Sequence, residues 1–133
     1  MRGLDTNVLV RFLLRDDAKQ SPIAKAAIDQ AIAAKEPLLV SLLTLLETEW
    51  VLRSVAKVGK PGVIQTFKAL LETRDLLIEN EEVLEQAVHY YEDGKADFAE
   101  CLMAARYQRI GCISMLTFDG KAAGIPGCEL LTG

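Results

Sequence analysis

Glu47 stands in an apolar stretch of the sequence, where a charged side chain is unexpected. If this stretch is helical, the residues on the same face as Glu47 are Leu43, Trp50 and Val51. We therefore expect Glu47 to be at least partly buried, whereas Glu49 points roughly the opposite way and can be solvated. A buried unpaired charge is costly. Glu47 is therefore either one half of a salt bridge or a functional carboxylate, and its own position does not decide between the two.

Two further acids, Asp97 and Glu100, open a strongly apolar helical stretch. Their D-x-x-E spacing is a variant of the capping box, in which the cap and the third helical residue satisfy each other's backbone amides. This structural role would explain both residues. The same spacing also places two carboxylates on one face of a helix end, within reach of a single cation. Both interpretations stay open on the sequence.

Asp5 and Asp119 each follow a predicted strand, the second of which ends at Thr117. Each acid has an ordinary explanation, either as an acid near a helix N-terminus or as part of an Asp-Gly turn. Thr6 and Asn7 are likewise ordinary helix caps. These separate explanations leave the coincidence of the acids unexplained. If a parallel sheet brings them together at its carboxyl edge, their mutual repulsion requires a cation.

An all-oxygen ligand set without histidine favours Mg²⁺ or Mn²⁺ over zinc. Such a site activates water and neutralises charge on a phosphate, which is the chemistry of phosphodiester hydrolysis. The sole histidine, His89, lies in a polar helical stretch and offers no good general base. The sequence contains neither a P-loop nor a G-x-G-x-x-G motif. Arg11, Arg15 and Arg53 are candidates to hold phosphates, although solvated surface positions would also suit them.

The elements that must position these acids alternate between strand and helix. We predict strands at 2–4, 37–40, 76–78, 112–117 and 129–131. We predict helices at 8–14, 21–35, 41–57, 63–73, 81–92 and 97–110, the last of which stops at Gly111. Thr6 or Asn7 would cap the first helix, and Ser41 or Thr44 the third. This order predicts an α/β fold with a mostly parallel sheet between helices, and its ligand crevice would lie beyond the carboxyl ends of the strands.

The 133 residues are expected to form one domain, residues 1–133, with a core large enough to need no disulfides. Half of the residues are hydrophobic, yet no segment is long enough to span a membrane. The three cysteines have no C-x-x-C spacing and suit free thiols in a reducing cytoplasm. The net charge of −4 argues against a dedicated nucleic-acid coat protein. It does not argue against a nuclease, because metal-binding carboxylates contribute to that charge.

Four segments in this order resemble the PIN domain, and most closely its VapC-like branch of toxin ribonucleases from toxin–antitoxin pairs. The segments are L-D-T-N-V-L-V from residue 4, L-E-T-E-W-V-L from residue 46, D-F-A-E-C-L from residue 97 and T-F-D from residue 117. The resemblance implies a three-layer α/β/α fold and Mg²⁺- or Mn²⁺-dependent endonuclease activity on RNA. It also implies inhibition by a VapB-like antitoxin and commonly a homodimer. Within it, Asp5, Glu47 and Asp119 match three of the family's acids, and Thr6 or Asn7 would position Asp5 or a water.

The fourth acid departs from the family's pattern, which is commonly D-F-A-D-A-L. Its second aspartate is the usual metal ligand, and Glu100 stands in that place here. The extra methylene of Glu100 would displace or weaken a near-octahedral Mg²⁺ site, and Asp97 would then compensate. This departure leaves two hypotheses: a toxin ribonuclease, or a catalytically weak PIN-fold module that binds a partner protein or RNA.

Overall fold

The computed structural model describes residues 1–132, and its secondary structure groups into two units. The first unit runs from Met1 to Glu79, and the second begins at Asn80. The strands of the first unit are β1 (Arg2–Gly3), β2 (Leu38–Val40) and β3 (Leu76–Ile78). Its helices are α1 (Thr6–Leu14), α2 (Gln20–Ala33), α3 (Leu42–Trp50), a π-helical turn (Val51–Val55) and α4 (Lys60–Glu72).

The three strands of the first unit form one parallel sheet in the order β1–β2–β3. Leu38 pairs with Arg2 on one side and with Leu76 on the other. Parallel neighbours need long crossover connections, which the helices between the strands supply. As a result, the carboxyl ends of all three strands lie at one edge of the sheet. Asp5 follows the first of them, Ser41 the second and Glu79 the third.

The helix starts at this edge are fixed by short polar side chains. Asp5 has extended backbone angles, and its carboxylate accepts a hydrogen bond from the Thr6 amide, so Asp5 caps α1. The prediction that Thr6 or Asn7 is the cap was wrong, because the helix already includes both residues. Ser41 caps α3 by accepting a hydrogen bond from the Thr44 amide at 3.1 Å, which confirms one of the two predicted caps.

Large apolar side chains from every helix of the first unit fill its core. Leu9, Ile28, Leu45 and Phe67 are almost completely shielded from solvent, and Val40 contributes from the central strand. Burial of each such side chain is worth about 1.5–3 kcal/mol relative to exposure. The sheet edge beside Asp5 is therefore part of a well-packed unit.

The second unit contains helices α5 (Glu81–Asp93) and α6 (Phe98–Ile110), strands β4 (Met115–Thr117) and β5 (Cys128–Leu130), and a 3₁₀ turn (Ala122–Gly124). The two helices pack against each other, with Tyr91 and Phe98 in edge-to-face contact at 5.6 Å between ring centroids. The two strands pair in parallel, with Thr117 opposite Leu130. Gly111 ends α6 at a φ of 105°, as the sequence predicted, because this left-handed conformation favours glycine.

The predicted α/β class with parallel strands is confirmed, since every strand pair within residues 1–132 is parallel. Most helix boundaries agree with the sequence to within three residues. The third helix is the exception, because its last turn is π-helical. All three cysteines are free thiols. No helix within residues 1–132 is long and apolar enough to cross a membrane.

Candidate active site: carboxylates that follow parallel strands

Asp5 lies two residues beyond β1, at the carboxyl edge of the first sheet. Its side chain is exposed, and one carboxylate oxygen accepts the Thr6 amide at 2.8 Å. Thr6 is 5% exposed, whereas the side chain of Asn7 faces solvent. The helix N-terminus favours the negative charge of Asp5 and fixes its direction. The Asp5 carboxylate is therefore held in place by the start of α1 and is accessible to solvent.

A hydrogen-bond network ties the backbone beside Asp5 to the start of α3. The Thr44 hydroxyl donates to the Leu4 carbonyl at 3.3 Å, and the Ser41 hydroxyl donates to the Thr44 hydroxyl oxygen at 3.0 Å. Glu79, which follows β3, accepts the Leu42 amide at 2.9 Å. Sequence reasoning identified Ser41 and Thr44 only as alternative caps and did not identify Glu79. The available signal was a polar residue directly after each of the strands β2 and β3.

Glu47 and Glu49 on α3 exchange the environments that the sequence predicted for them. Glu47 is exposed, whereas Glu49 is 3% exposed. Glu49 forms an ion pair with Arg53, whose Nε lies 2.8 Å from a Glu49 carboxylate oxygen. The salt-bridge interpretation considered for Glu47 therefore applies to Glu49. Glu47 presents its carboxylate to solvent on the helix that packs against α1.

The reason for this exchange is that α3 carries apolar side chains on both of its faces. The buried stripe runs through Leu42, Leu45, Thr48 and Leu52, and Glu49 lies beside it. The stripe assumed from the sequence contains Leu43, which is 78% exposed, and Trp50, which is 54% exposed. Hydrophobic periodicity gives the helix but does not choose between two apolar faces.

In the second unit, Asp97 and Glu100 form only half of a capping box. The Glu100 carboxylate accepts a hydrogen bond from the Asp97 backbone amide. The Asp97 backbone has the extended angles of a cap, but its side chain makes no capping hydrogen bond. The structural interpretation thus accounts for Glu100 and leaves the exposed Asp97 carboxylate without a capping role.

Asp119 is held at the carboxyl end of β4 by three hydrogen bonds. One of its carboxylate oxygens accepts the amides of Lys121 at 2.7 Å and Ala122 at 3.2 Å. The Asp119 amide donates to the Thr117 hydroxyl at 3.0 Å. Asp119 therefore initiates the 3₁₀ turn, and Thr117 fixes the backbone from which it projects.

The charges of Asp97 and Asp119 both act on the Glu100 carboxyl. Partial burial is the main cause that raises the pKa of the Glu100 carboxyl. The negative charges of Asp119 and Asp97 raise this pKa further, whereas the Asp97 amide and the charge of Lys121 oppose the shift. Lys121, which sequence reasoning missed, follows the Asp-Gly turn and is the cation in this group.

The donor chemistry of this group fits a hard divalent cation, because all three side chains offer carboxylate oxygens. Burial is the largest cause of the raised pKa of Glu100, and the charges of Asp119 and Asp97 add to it. Within residues 1–132, however, no three His, Cys, Asp or Glu side chains lie close enough together to hold a metal ion by themselves. The group therefore matches a divalent cation in ligand type but not in spacing.

The three candidate phosphate-binding arginines all have partners within the first unit. Arg11 donates to the Gln20 side-chain carbonyl at 2.9 Å and lies 3.4 Å from the carboxylate of Asp16. The Arg15 guanidinium lies over the ring of Phe12, 5.8 Å from its centroid. Arg53 holds Glu49. A phosphate-binding role for these arginines stays a prediction.

Comparison with known proteins relates this chain to a protein family and to solved structures. A family model of the PIN domain matches residues 4–127. Among solved structures, the chain is similar to VapC20 of Mycobacterium tuberculosis, a toxin that cleaves the sarcin–ricin loop. The identity is 20% and the TM-score 0.43, over 94% of this chain and 96% of that chain. A comparison with curated protein sequences gives no match.

Proposed function

Because the chain belongs to the PIN-domain family, we propose that it is an endoribonuclease that depends on Mg²⁺ or Mn²⁺. The observation that carries this proposal is the group formed by Asp97, Glu100 and Asp119. Burial raises the pKa of Glu100, and the negative charges of Asp97 and Asp119 raise it further. The positive charge of Lys121 opposes this shift. A divalent cation relieves such repulsion, and phosphodiester hydrolysis is the chemistry that uses it most directly.

On the resemblance of the sequence to the family, the residues proposed to hold the cation are Asp5, Asp97, Glu100 and Asp119, with Glu47 as a further catalytic carboxylate. When bound, the cation supplies an activated water and neutralises charge on the phosphate. The chain's own contribution is to hold the carboxylates in place. The Thr6 amide orients Asp5, and Thr117 fixes the backbone of Asp119.

The finer part of the proposal is that the protein is the toxin of a toxin–antitoxin pair. The resemblance of its four acidic segments to VapC-like toxins supports this assignment. The toxin assignment also implies a VapB-like antitoxin as protein partner, a homodimer and a cytoplasmic site of action. The toxin assignment predicts that expression of the wild-type chain arrests bacterial growth and that expression of Asp5→Asn does not. Arrest by both proteins, or by neither, contradicts it.

A cleavage assay tests the ribonuclease proposal. Purified protein is incubated with structured RNA in Mg²⁺, in Mn²⁺ or in chelator, and the products are separated by size. We expect discrete internal cleavage with either metal and none in chelator. Glu100→Gln should lose this activity. Glu85→Gln, which removes an exposed acid on α5, is the matched control and should retain it. Cleavage that is unaffected by chelator contradicts the proposal.

The second candidate is a PIN-fold module with weak catalysis that binds a partner protein or RNA. Glu100 favours this alternative, because its carboxylate is already engaged by the Asp97 amide and is longer than the family's usual aspartate. The tightly gathered ligand set that strong metal binding needs is also absent from residues 1–132. RNA that binds but stays intact in both metals would support this alternative.

A further inference from the structure

The second unit contains a cavity of about 550 Å³ that is not lined by Asp97, Glu100 or Asp119. It lies between the end of α5 and the 3₁₀ turn, and its volume falls within the range of about 300–1,000 Å³ typical of ligand sites. The lining residues that carry its chemistry are His89, Tyr90, Asp93, Lys95, Lys121 and Gly124. Two lysines, a histidine and a tyrosine around one cavity offer both positive charge and ring surface.

The Tyr90 wall of this cavity is held rigidly. The Tyr90 hydroxyl donates to the Gln108 side-chain carbonyl at 2.7 Å, and the Gln108 side-chain amide donates to the Pro126 carbonyl at 2.7 Å. The neighbouring ring of His89 is tilted by 44° with its centroid 6.2 Å from that of Tyr90. Proteins bind single-stranded nucleic acids with this combination of aromatic rings, on which bases stack, and lysines, which contact phosphates.

The cavity adjoins the carboxylate group along the chain at two points. Ala96, which lines the cavity, precedes Asp97, and Gly120 and Lys121, which also line it, follow Asp119. The charge of Lys121 also acts on Glu100. The cavity therefore lies beside the backbone segments that carry Asp97 and Asp119.

We propose that this cavity is a subsite for one nucleotide of a single-stranded RNA segment next to the cleaved bond. Lys95 and Lys121 contact its phosphates, and its base lies against the rings of Tyr90 or His89. This inference rests on the proposed ribonuclease function and deepens it by naming the cavity that holds a nucleotide beside the cleaved bond. Asp93, which lies 3.3 Å from His89, is the carboxylate in this cavity that disfavours the phosphate.

The test measures RNA binding without cleavage. A short fluorescein-labelled single-stranded RNA is titrated with protein in chelator, and its anisotropy is followed at several salt concentrations. Lys95→Gln should weaken binding several-fold and lower the slope of log affinity against log salt by about 0.7, the value for one phosphate contact in a single strand. Lys25→Gln removes an exposed lysine paired with Asp29 outside this cavity and is the matched control.

Two further variants change the cavity in opposite directions. Asp93→Asn removes its negative charge and should tighten binding. Gly124→Leu should weaken it by occupying the cavity. The fold should tolerate this leucine, because a Cβ at Gly124 meets no atom within 4 Å. Melting curves of both variants should coincide with that of the wild type.

Equal effects of Lys95→Gln and Lys25→Gln, or no binding by the wild type, overturn the subsite. Binding of a duplex as tight as that of the single strand overturns the assignment to unpaired RNA. The proposed function fails separately. If the wild type binds RNA through Lys95 but never cleaves it with metal, the subsite stands and the ribonuclease proposal fails. If the wild type cleaves RNA with metal but Lys95→Gln binds RNA as well as Lys25→Gln does, the ribonuclease proposal stands and the subsite fails.

Discussion

Neutralising Glu49 and neutralising Glu47 should have opposite consequences, although the two residues are only two positions apart on the same helix. The Glu49 side chain is 4% exposed and paired with Arg53 at 2.8 Å, whereas Glu47 is exposed. Glu49→Gln should therefore lower stability and leave RNA cleavage largely intact. Glu47→Gln should abolish most cleavage and leave stability nearly unchanged.

The expected magnitude follows from the environment of the ion pair. A hydrogen bond to a charged group contributes about 1.5–3 kcal/mol. The Arg53 side chain is 52% exposed, so solvent screens the pair, and glutamine keeps an oxygen that can accept from Arg53. We therefore expect Glu49→Gln to cost about 1 kcal/mol, or about 3–4 °C in melting temperature for a chain of this size. Glu47→Gln should stay within about 0.5 kcal/mol of wild type.

Thermal melts and single-turnover cleavage of labelled RNA measure both consequences on the same preparations. Arg53→Gln, alone and combined with Glu49→Gln, completes a double-mutant cycle that isolates the energy of the pair. The cycle is needed because Arg53 makes an interaction besides this pair. A larger loss of stability in Glu47→Gln than in Glu49→Gln would refute the assignment of the buried carboxylate.

The remaining predictions concern the carboxylate group of the second unit. Because burial and two acids raise the pKa of Glu100, the wild type should lose stability as the pH rises from the ordinary glutamate range through this raised pKa. In chelator, Glu100→Gln should not show this loss of stability. The difference in unfolding free energy between Glu100→Gln and wild type, measured by urea denaturation, should therefore grow with pH and then level off. Glu100→Asp, which restores the family's shorter acid, should match or exceed the wild-type cleavage rate, and a slower rate would contradict its assigned place. Asp97→Asn should reduce cleavage without lowering the melting temperature, because the Asp97 side chain makes no capping bond; a lower melting temperature with full activity would make it a structural residue. Millimolar Mn²⁺ should raise the melting temperature of wild type and raise that of Asp119→Asn much less, through binding to the native state.

Local signals in the sequence predicted the elements well. The end of α6 at Gly111 and the start of α3 at Ser41 follow from single residues whose conformational or hydrogen-bonding properties act locally. The parallel pairing follows from the alternation of strands and helices. Such features need no knowledge of distant contacts.

The environments of individual acids were harder to predict, because they depend on which face the rest of the fold covers. Glu47 and Glu49 were exchanged for this reason, since α3 is apolar on two sides. The half-formed capping box at Asp97 and Glu100 depends on rotamers that the motif does not specify. The effect of Lys121 on Glu100 depends on the turn after β4, in which the Lys121 backbone amide donates to the Asp119 carboxylate.

The cleavage rate of Asp5→Asn tests most directly the central claim that the acids form a metal-dependent ribonuclease site. Asparagine caps a helix as well as aspartate, so this variant should retain the hydrogen bond from Thr6 and the fold. Only the charge is removed. In Mn²⁺, the cleavage rate should fall by about two orders of magnitude or more, with an unchanged melting temperature in chelator. Cleavage by Asp5→Asn at the wild-type rate would contradict the account.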